Sequence, residues 1–150
     1  MRNIVLVTLA LIVSASSALA GETGIVHKTS KYSVPETLNR LEGALKASGM
    51  TIFARIDHSA EAEKVGLQMR PMQLLIFGNP RGGTPLMVAS PTAGIDLPMK
   101  ALAWEDTSGK VWLAYNAASY LKSRHDIRGR DELLKTLEGA LDAMTNKALE

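Results

Sequence analysis

The chain has no cysteine. Disulfides, thiol nucleophiles and thiolate-held metals are thereby excluded, and stability must come from apolar burial. Aromatic side chains are scarce, with two Trp, three Tyr and two Phe among 150 residues. There is no block of like charge of the kind that grips nucleic acid. Motifs for several chemistries are also missing. Gly-x-x-x-x-Gly-Lys-Ser/Thr and Gly-x-Gly-x-x-Gly are absent, which removes the standard phosphate loops. Gly-x-Ser-x-Gly is absent, and no Ser/His/Asp set stands out, so nucleophilic catalysis has no support. His27, His58 and His125 do not pair at metal-ligand spacing. Met69 and Met72 are a conceivable soft copper pair, but such Met pairs are ordinarily core filler. No cofactor is named by any motif.

Long apolar runs are limited to one, Ile4 to Val13, broken only by Thr8. It follows Met1-Arg2-Asn3 and precedes the small residues Ser14 to Ala20, ending Ala18-Leu19-Ala20. A positive start, a short apolar stretch and a small-x-small end are the parts of a secretory signal. About 20 apolar residues are needed to span a bilayer, so this run is short for an anchor. Residues 1–20 are expected to be a signal peptide cleaved after Ala20, which makes the protein periplasmic or secreted. Residues 21–150 then form a single domain. Losing Arg2 leaves 16 basic against 15 acidic residues, so the pI near 9.0 overstates the basicity of the mature chain. Stable membrane insertion and nucleic-acid binding are not expected of it.

The periodicity of residues 21–150 gives a coarse fold. Gly24 to Tyr32 reads as a strand. Ser33-Val34-Pro35-Glu36 is a helix start with a capping Ser, a tolerated Pro and a Glu placed for a capping box. Val34, Leu38, Leu41 and Leu45 continue at helical spacing, and Gly49 is placed to end the helix in a left-handed cap. Thr51 to Asp57 alternates as a strand, with Ile52, Ala54, Ile56 and, by extension, His58 on one face. Ser59 to Gly66 reads as a loop or one helical turn. Gln73 to Phe77 is an apolar strand, Gly78 to Gly83 a loop, and Thr84-Pro85 the start of a short helix that Pro91 disrupts. Lys100 to Glu105 and Lys110 to Asn116 form a hairpin. Ala117 to Arg124 is a short helix, and Arg130 to Leu149 a long amphipathic one with Leu133, Leu134, Leu137, Leu141 and Met144 on its stripe. The expectation is an α+β domain: an antiparallel sheet of about five strands in the order β-α-β(4)-α, with two main helices packed on one face.

The two main helices share a phrase. Glu36-x-Leu38-x-x-Leu41-Glu42-Gly43-Ala44-Leu45-x-Ala47 recurs from Glu132 to Ala143, with Gly139 in the place of Gly43. Glycine within a helix costs about 1 kcal/mol relative to Ala. The pair suggests close approach of the helices there, or simply two helices drawn from few residue types.

Several phrases together resemble one family. They are Phe53-Ala54-Arg55-Ile56-Asp57-His58, Leu75-Ile76-Phe77-Gly78-Asn79-Pro80, Gly83-Thr84-Pro85-Leu86-Met87, Asp96-Leu97-Pro98-Met99-Lys100, Trp104-Glu105-Asp106, Val111-Trp112, Tyr115-Asn116 and Tyr120-Leu121. In this order, from about Gly24 to Met144, the chain resembles the family known as domain of unknown function 302. The resemblance implies a TATA-binding-protein-like α+β fold and a tendency to form homodimers. It implies no activity, and a fold alone does not license DNA binding.

Six residues are candidates for a site. His58, at the end of a strand face, is a proton carrier or pocket wall, or else a structural hydrogen-bonder. Asn79 and Arg81 lie in a Gly-rich segment before a helix start, where amides attract anions. The same residues also suit a sharp turn. Trp104, Tyr115 and Asn116 come from the hairpin and suit an aromatic-floored pocket, or ordinary cross-strand packing. Glu105 and Asp106 are adjacent in a strand and point apart, which disfavours a two-carboxylate mechanism. The preferred reading is a small-ligand-binding module with a mainly apolar cleft between helices and sheet, its ligand anionic if Arg81 takes part. The alternatives are an enzyme using His58 or Glu105 as acid/base in that cleft, and a homodimeric envelope interaction protein without a ligand.

Overall fold

The computed structural model describes residues 23–150; the expected export segment lies outside the described residues. Five strands form one antiparallel sheet: β1 (Ile25–Ser30), β2 (Thr51–Asp57), β3 (Met72–Gly78), β4 (Met99–Glu105) and β5 (Val111–Asn116). Their spatial order is β1-β5-β4-β3-β2. Five helices accompany them: α1 (Val34–Ala47), α2 (His58–Lys64), α3 (Pro80–Ala89), α4 (Ala118–His125) and α5 (Asp131–Leu149). A single 3-10 turn, Pro91–Ile95, links α3 to β4. The expected α+β architecture is present, with all five strands and both main helices in place. No helix of the described residues is long and apolar enough to cross a membrane.

Local chemistry accounts for the elements. The Ser33 hydroxyl accepts the Glu36 amide and opens α1, and Gly49 closes it with φ +75°. Leu38, Leu41 and Leu45 are fully buried along α1. On the sheet, Leu75, Phe77, Met99, Ala101, Ala103, Leu113 and Tyr115 alternate onto the helix-facing side and share that core. Helix α5 adds Leu134, Leu141 and Met144. Fully burying one Leu contributes about 1.5–3 kcal/mol, so the α1 stripe alone outweighs any single polar contact.

One polar contact ties α5 to the sheet. The Lys28 ammonium on β1, its side chain only 9% exposed, donates to Asp142 Oδ1 at 2.6 Å, Thr145 Oγ1 at 2.7 Å and Asn146 Oδ1 at 2.6 Å. A nearly buried cation is tolerated because every ammonium proton meets an oxygen.

The structure corrects several expectations. Gly78–Gly83 is not a continuous loop: the helix begins at Pro80, ahead of Thr84. Asn79 Oδ1 accepts the Arg81 amide, and Pro80 supplies a pre-set φ at the first helical position, which together overcome the two glycines. Residues 58–64 form two helical turns because Asp57 caps them, its Oδ1 accepting the Ala60 amide. In β2 the register shifts between Ile52 and Ala54, a bulge at Phe53. Ile52 therefore pairs with Phe77 on the helix side while Ile56 pairs with Leu74 on the other, so they do not share a face. Gly43 and Gly139 mark no close approach, since a Cβ at either would meet nothing within 4 Å.

That openness gives an expected outcome. Gly43→Ala and Gly139→Ala should each stabilise the protein by about 0.5–1 kcal/mol in chemical denaturation. Lys28→Ala should cost about 2 kcal/mol, the usual scale for hydrogen bonds to a charged group.

Candidate functional site

A pocket of about 280 Å³ opens at one end of the sheet, between α3, α5 and the end of β3. Its floor is Phe77, Leu86, Leu97 and Met99, all less than 9% exposed. Leu133, Leu137 and Ala140 of α5 make one wall, and Met50, Met87 and Pro98 complete the apolar lining. The bulge turns Phe53 to this pocket, where its ring remains half exposed. Polar lining residues are confined to Asn79, Thr84 and Thr136, all solvent-exposed and hence at the rim. None of the lining residues is ionisable.

The wall from Leu97 to Met99 is held by a polar clamp centred on the buried His125. His125, at the end of α4, is 7% exposed. Its Nε2 lies 2.6 Å from Asp96 Oδ2 and its Nδ1 3.0 Å from Thr92 Oγ1. The Arg124 guanidinium stands 3.3 Å from the same Asp96 oxygen, and Ser90 Oγ donates to the His125 carbonyl at 2.7 Å. These bonds fasten the Ser90–Asp96 segment to α4. At the other side of α4, Glu138 of α5 accepts the Ala118 amide at 2.5 Å. An acidic group at a helix start is favoured by the orphan amide and the dipole together.

Of the six expected site residues, the structure brings only Asn79 to the pocket. Arg81 is exposed on the first turn of α3 and does not line it. His58 opens α2, and does not continue the Ile52 face. Tyr115 is 4% exposed, in the core beneath α1, where burial pushes its phenol above the ordinary value of 10.0. Trp104 and Asn116 alternate onto the opposite face of the sheet. There Trp104 stacks on Trp112 with ring centroids 6.3 Å apart, and His27 meets Trp104 edge-on at 5.8 Å. The Trp104–Tyr115 pocket is thus overturned by strand alternation, because the two residues point to different sides. Glu105 is paired with Arg70 at 2.9 Å, and Asp106 ties the hairpin turn through Ser108, Lys110 and Trp112. The three histidines sit on β1, α2 and α4, in separate surroundings.

The lining of α5 was partly visible in sequence. Leu134 and Leu141 face the core while Leu133, Leu137 and Ala140 are only half-buried. An apolar arc wider than one core contact requires is the signal for a second apolar surface.

The chain belongs to the family described as domain of unknown function DUF302, whose model matches residues 26–144. A crystal structure of an uncharacterised conserved DUF302 protein from Bacillus stearothermophilus superposes with a TM-score of 0.75. It is 20% identical and covers 83% of this chain and 98% of its own, which speaks to fold. Two curated relatives are named fluoride-specific ion channels: FluC 1 of Brucella suis biovar 1 and FluC 2 of Brucella melitensis biotype 1. Both are 48% identical over 106 residues, 71% of this chain. The chain spans about two fifths of the length of these relatives, 42% and 39% respectively.

Two outcomes test the local chemistry. His125→Ala should cost about 2–3 kcal/mol in denaturant unfolding, since it leaves Asp96 with Arg124 as its remaining partner, opens a cavity at a buried position and frees the pocket wall. The Asp57 carboxyl is held below its ordinary 3.8 by the Ser59 hydroxyl and the Ala60 amide, with Gln73 adding to them. A depressed folded-state value contributes stability above the unfolded value and loses it as pH falls through the folded one. Asp57→Ala should therefore cost about 1 kcal/mol near pH 7, with the difference from the parent shrinking below about pH 4.

Proposed function

We propose that this protein is an exported binding module, periplasmic or secreted after cleavage at Ala20, that holds one small ligand in the pocket between α3, α5 and β3. The observation that carries the reading is the combination of a buried apolar floor with polar groups only at the rim. This is the usual construction of a small-molecule site, here just below the roughly 300–1,000 Å³ range of such sites. Fluoride itself, a small hard anion, finds no cationic side chain among the lining residues. Neither His58 nor Glu105 lies in the pocket, so acid/base catalysis by those residues has no support from its geometry.

A neutral apolar fluorophore, 1-aminoanthracene, should bind with a saturable rise in emission. Ala140→Phe, which fills the pocket from the half-buried side of α5, should abolish that rise while the far-ultraviolet spectrum is retained. Saturation unchanged in Ala140→Phe would place the ligand elsewhere and sink the reading.

A second reading, a homodimer, draws on the sheet face opposite α1. Leu74, Ile76, Leu102, Trp104 and Trp112 are half-buried there across three adjacent strands. Self-association through this face predicts a mass of two copies by light scattering, reduced to one copy in Trp104→Glu.

A further inference from the structure

The pocket also carries a statement about charge. Three kinds of ligand end are possible at its rim: an anion, a cation or a neutral polar group. An anion would need either a cation or free helix amides. No Lys, Arg or His lines the pocket. The start of α3 is closed as well. Pro80 has no N–H, the Arg81 amide donates to Asn79 Oδ1 at 3.0 Å, and the Gly82 and Gly83 amides both donate to the Asn79 carbonyl at 2.9 Å. Every donor of the first turn is thus committed inside the protein, and the helix start offers an anion nothing. A cation fares no better, because no carboxylate lines the pocket. A charged end therefore finds no partner at the rim, and carried inward against Phe77, Leu86, Leu97 and Met99 it would be buried unpaired, which is strongly unfavourable.

What the rim does offer is neutral. Because Asn79 Oδ1 is used by Arg81, the amide group is oriented and its Nδ2 remains as a donor. Thr136 Oγ1 donates to the Glu132 carbonyl at 2.8 Å, which leaves its oxygen only as an acceptor. A pocket of about 280 Å³ holds roughly nine water-sized groups at ~30 Å³ each. The three methionines among the lining, Met50, Met87 and Met99, let it adjust to flexible or irregular shapes.

We infer that the pocket takes an uncharged amphiphile: a short apolar body with one neutral oxygen, as in an alcohol, ester or lactone, accepting from Asn79 Nδ2. The inference rests on the binding-module reading and replaces the anionic ligand suggested by Arg81. Asn79 thereby acts twice, capping α3 with its oxygen and meeting the ligand with its nitrogen.

The experiment compares 1-octanol, octanoate and octylammonium by isothermal titration calorimetry at pH 7 with the parent protein and with Asn79→Asp. Asp caps helices as well as Asn, so this variant keeps α3 while exchanging the donor for a carboxylate. Octanol should bind the parent at one site, at least tenfold more tightly than either charged analogue. In Asn79→Asp, octanol should weaken about tenfold and octylammonium should gain. Octanoate or octylammonium binding the parent as tightly as octanol would overturn the charge assignment while leaving a ligand pocket in place. Octanol binding unchanged in Asn79→Asp would overturn the role of Asn79. Failure of all three probes, together with failure of 1-aminoanthracene, would remove the binding-module reading itself.

Discussion

The structure depends on one apolar stripe. Leu38, Leu41 and Leu45 of α1 are completely buried, between the sheet beneath and α5 beside them. With no cysteine to cross-link the chain, this helix-on-sheet contact supplies the largest share of the favourable free energy. It also sets orientation. Once α1 lies across β3, β4 and β5, side chains at Leu75, Phe77, Met99, Ala101, Leu113 and Tyr115 must point inward, and their neighbours in each strand must point away.

The pocket exists because that packing is incomplete at one end. Helix α5 carries an apolar arc wider than α1 can cover, so Leu133, Leu137 and Ala140 need another partner. Helix α3 and the Leu97–Met99 segment close most of the gap without filling it. Polar bonds then hold the walls where packing does not. Asn79 starts α3, and the Asp96–His125–Thr92 clamp fixes the connection into β4. These contacts are placed outside the apolar floor, which is why a site without a single ionisable lining residue is nevertheless surrounded by hydrogen bonds.

The two sides of the sheet have different prospects. One is committed to the core and its pocket. The other displays Trp104 stacked on Trp112, with His27 edge-on to Trp104, beside half-buried aliphatic side chains. Placing both tryptophans there removes them from the pocket, and hence from any ligand held by α3 and α5. The proposed binding and self-association use separate surfaces and can be altered independently.

The amino-acid sequence by itself determined the elements whose signals are local. Alternation marked the strands, the Ser33 and Gly49 caps bounded α1, the Leu spacing marked both main helices, and the phrases from Phe53 to Tyr120 pointed to the family. Only the tertiary structure decided which residues meet. The bulge at Phe53 reversed the expected face of Ile56, and strand alternation separated Trp104 from Tyr115. Chain pairing also brought Thr92, Asp96 and His125 together over 33 residues of sequence. Asn79 drew attention in the sequence only as part of a Gly-rich segment ahead of a helix start, and its capping of α3 and its place at the pocket rim came from the structure. Its companions Met50, Leu97 and Leu137 were not, because an apolar side chain looks the same in sequence whether it meets the core or an open pocket.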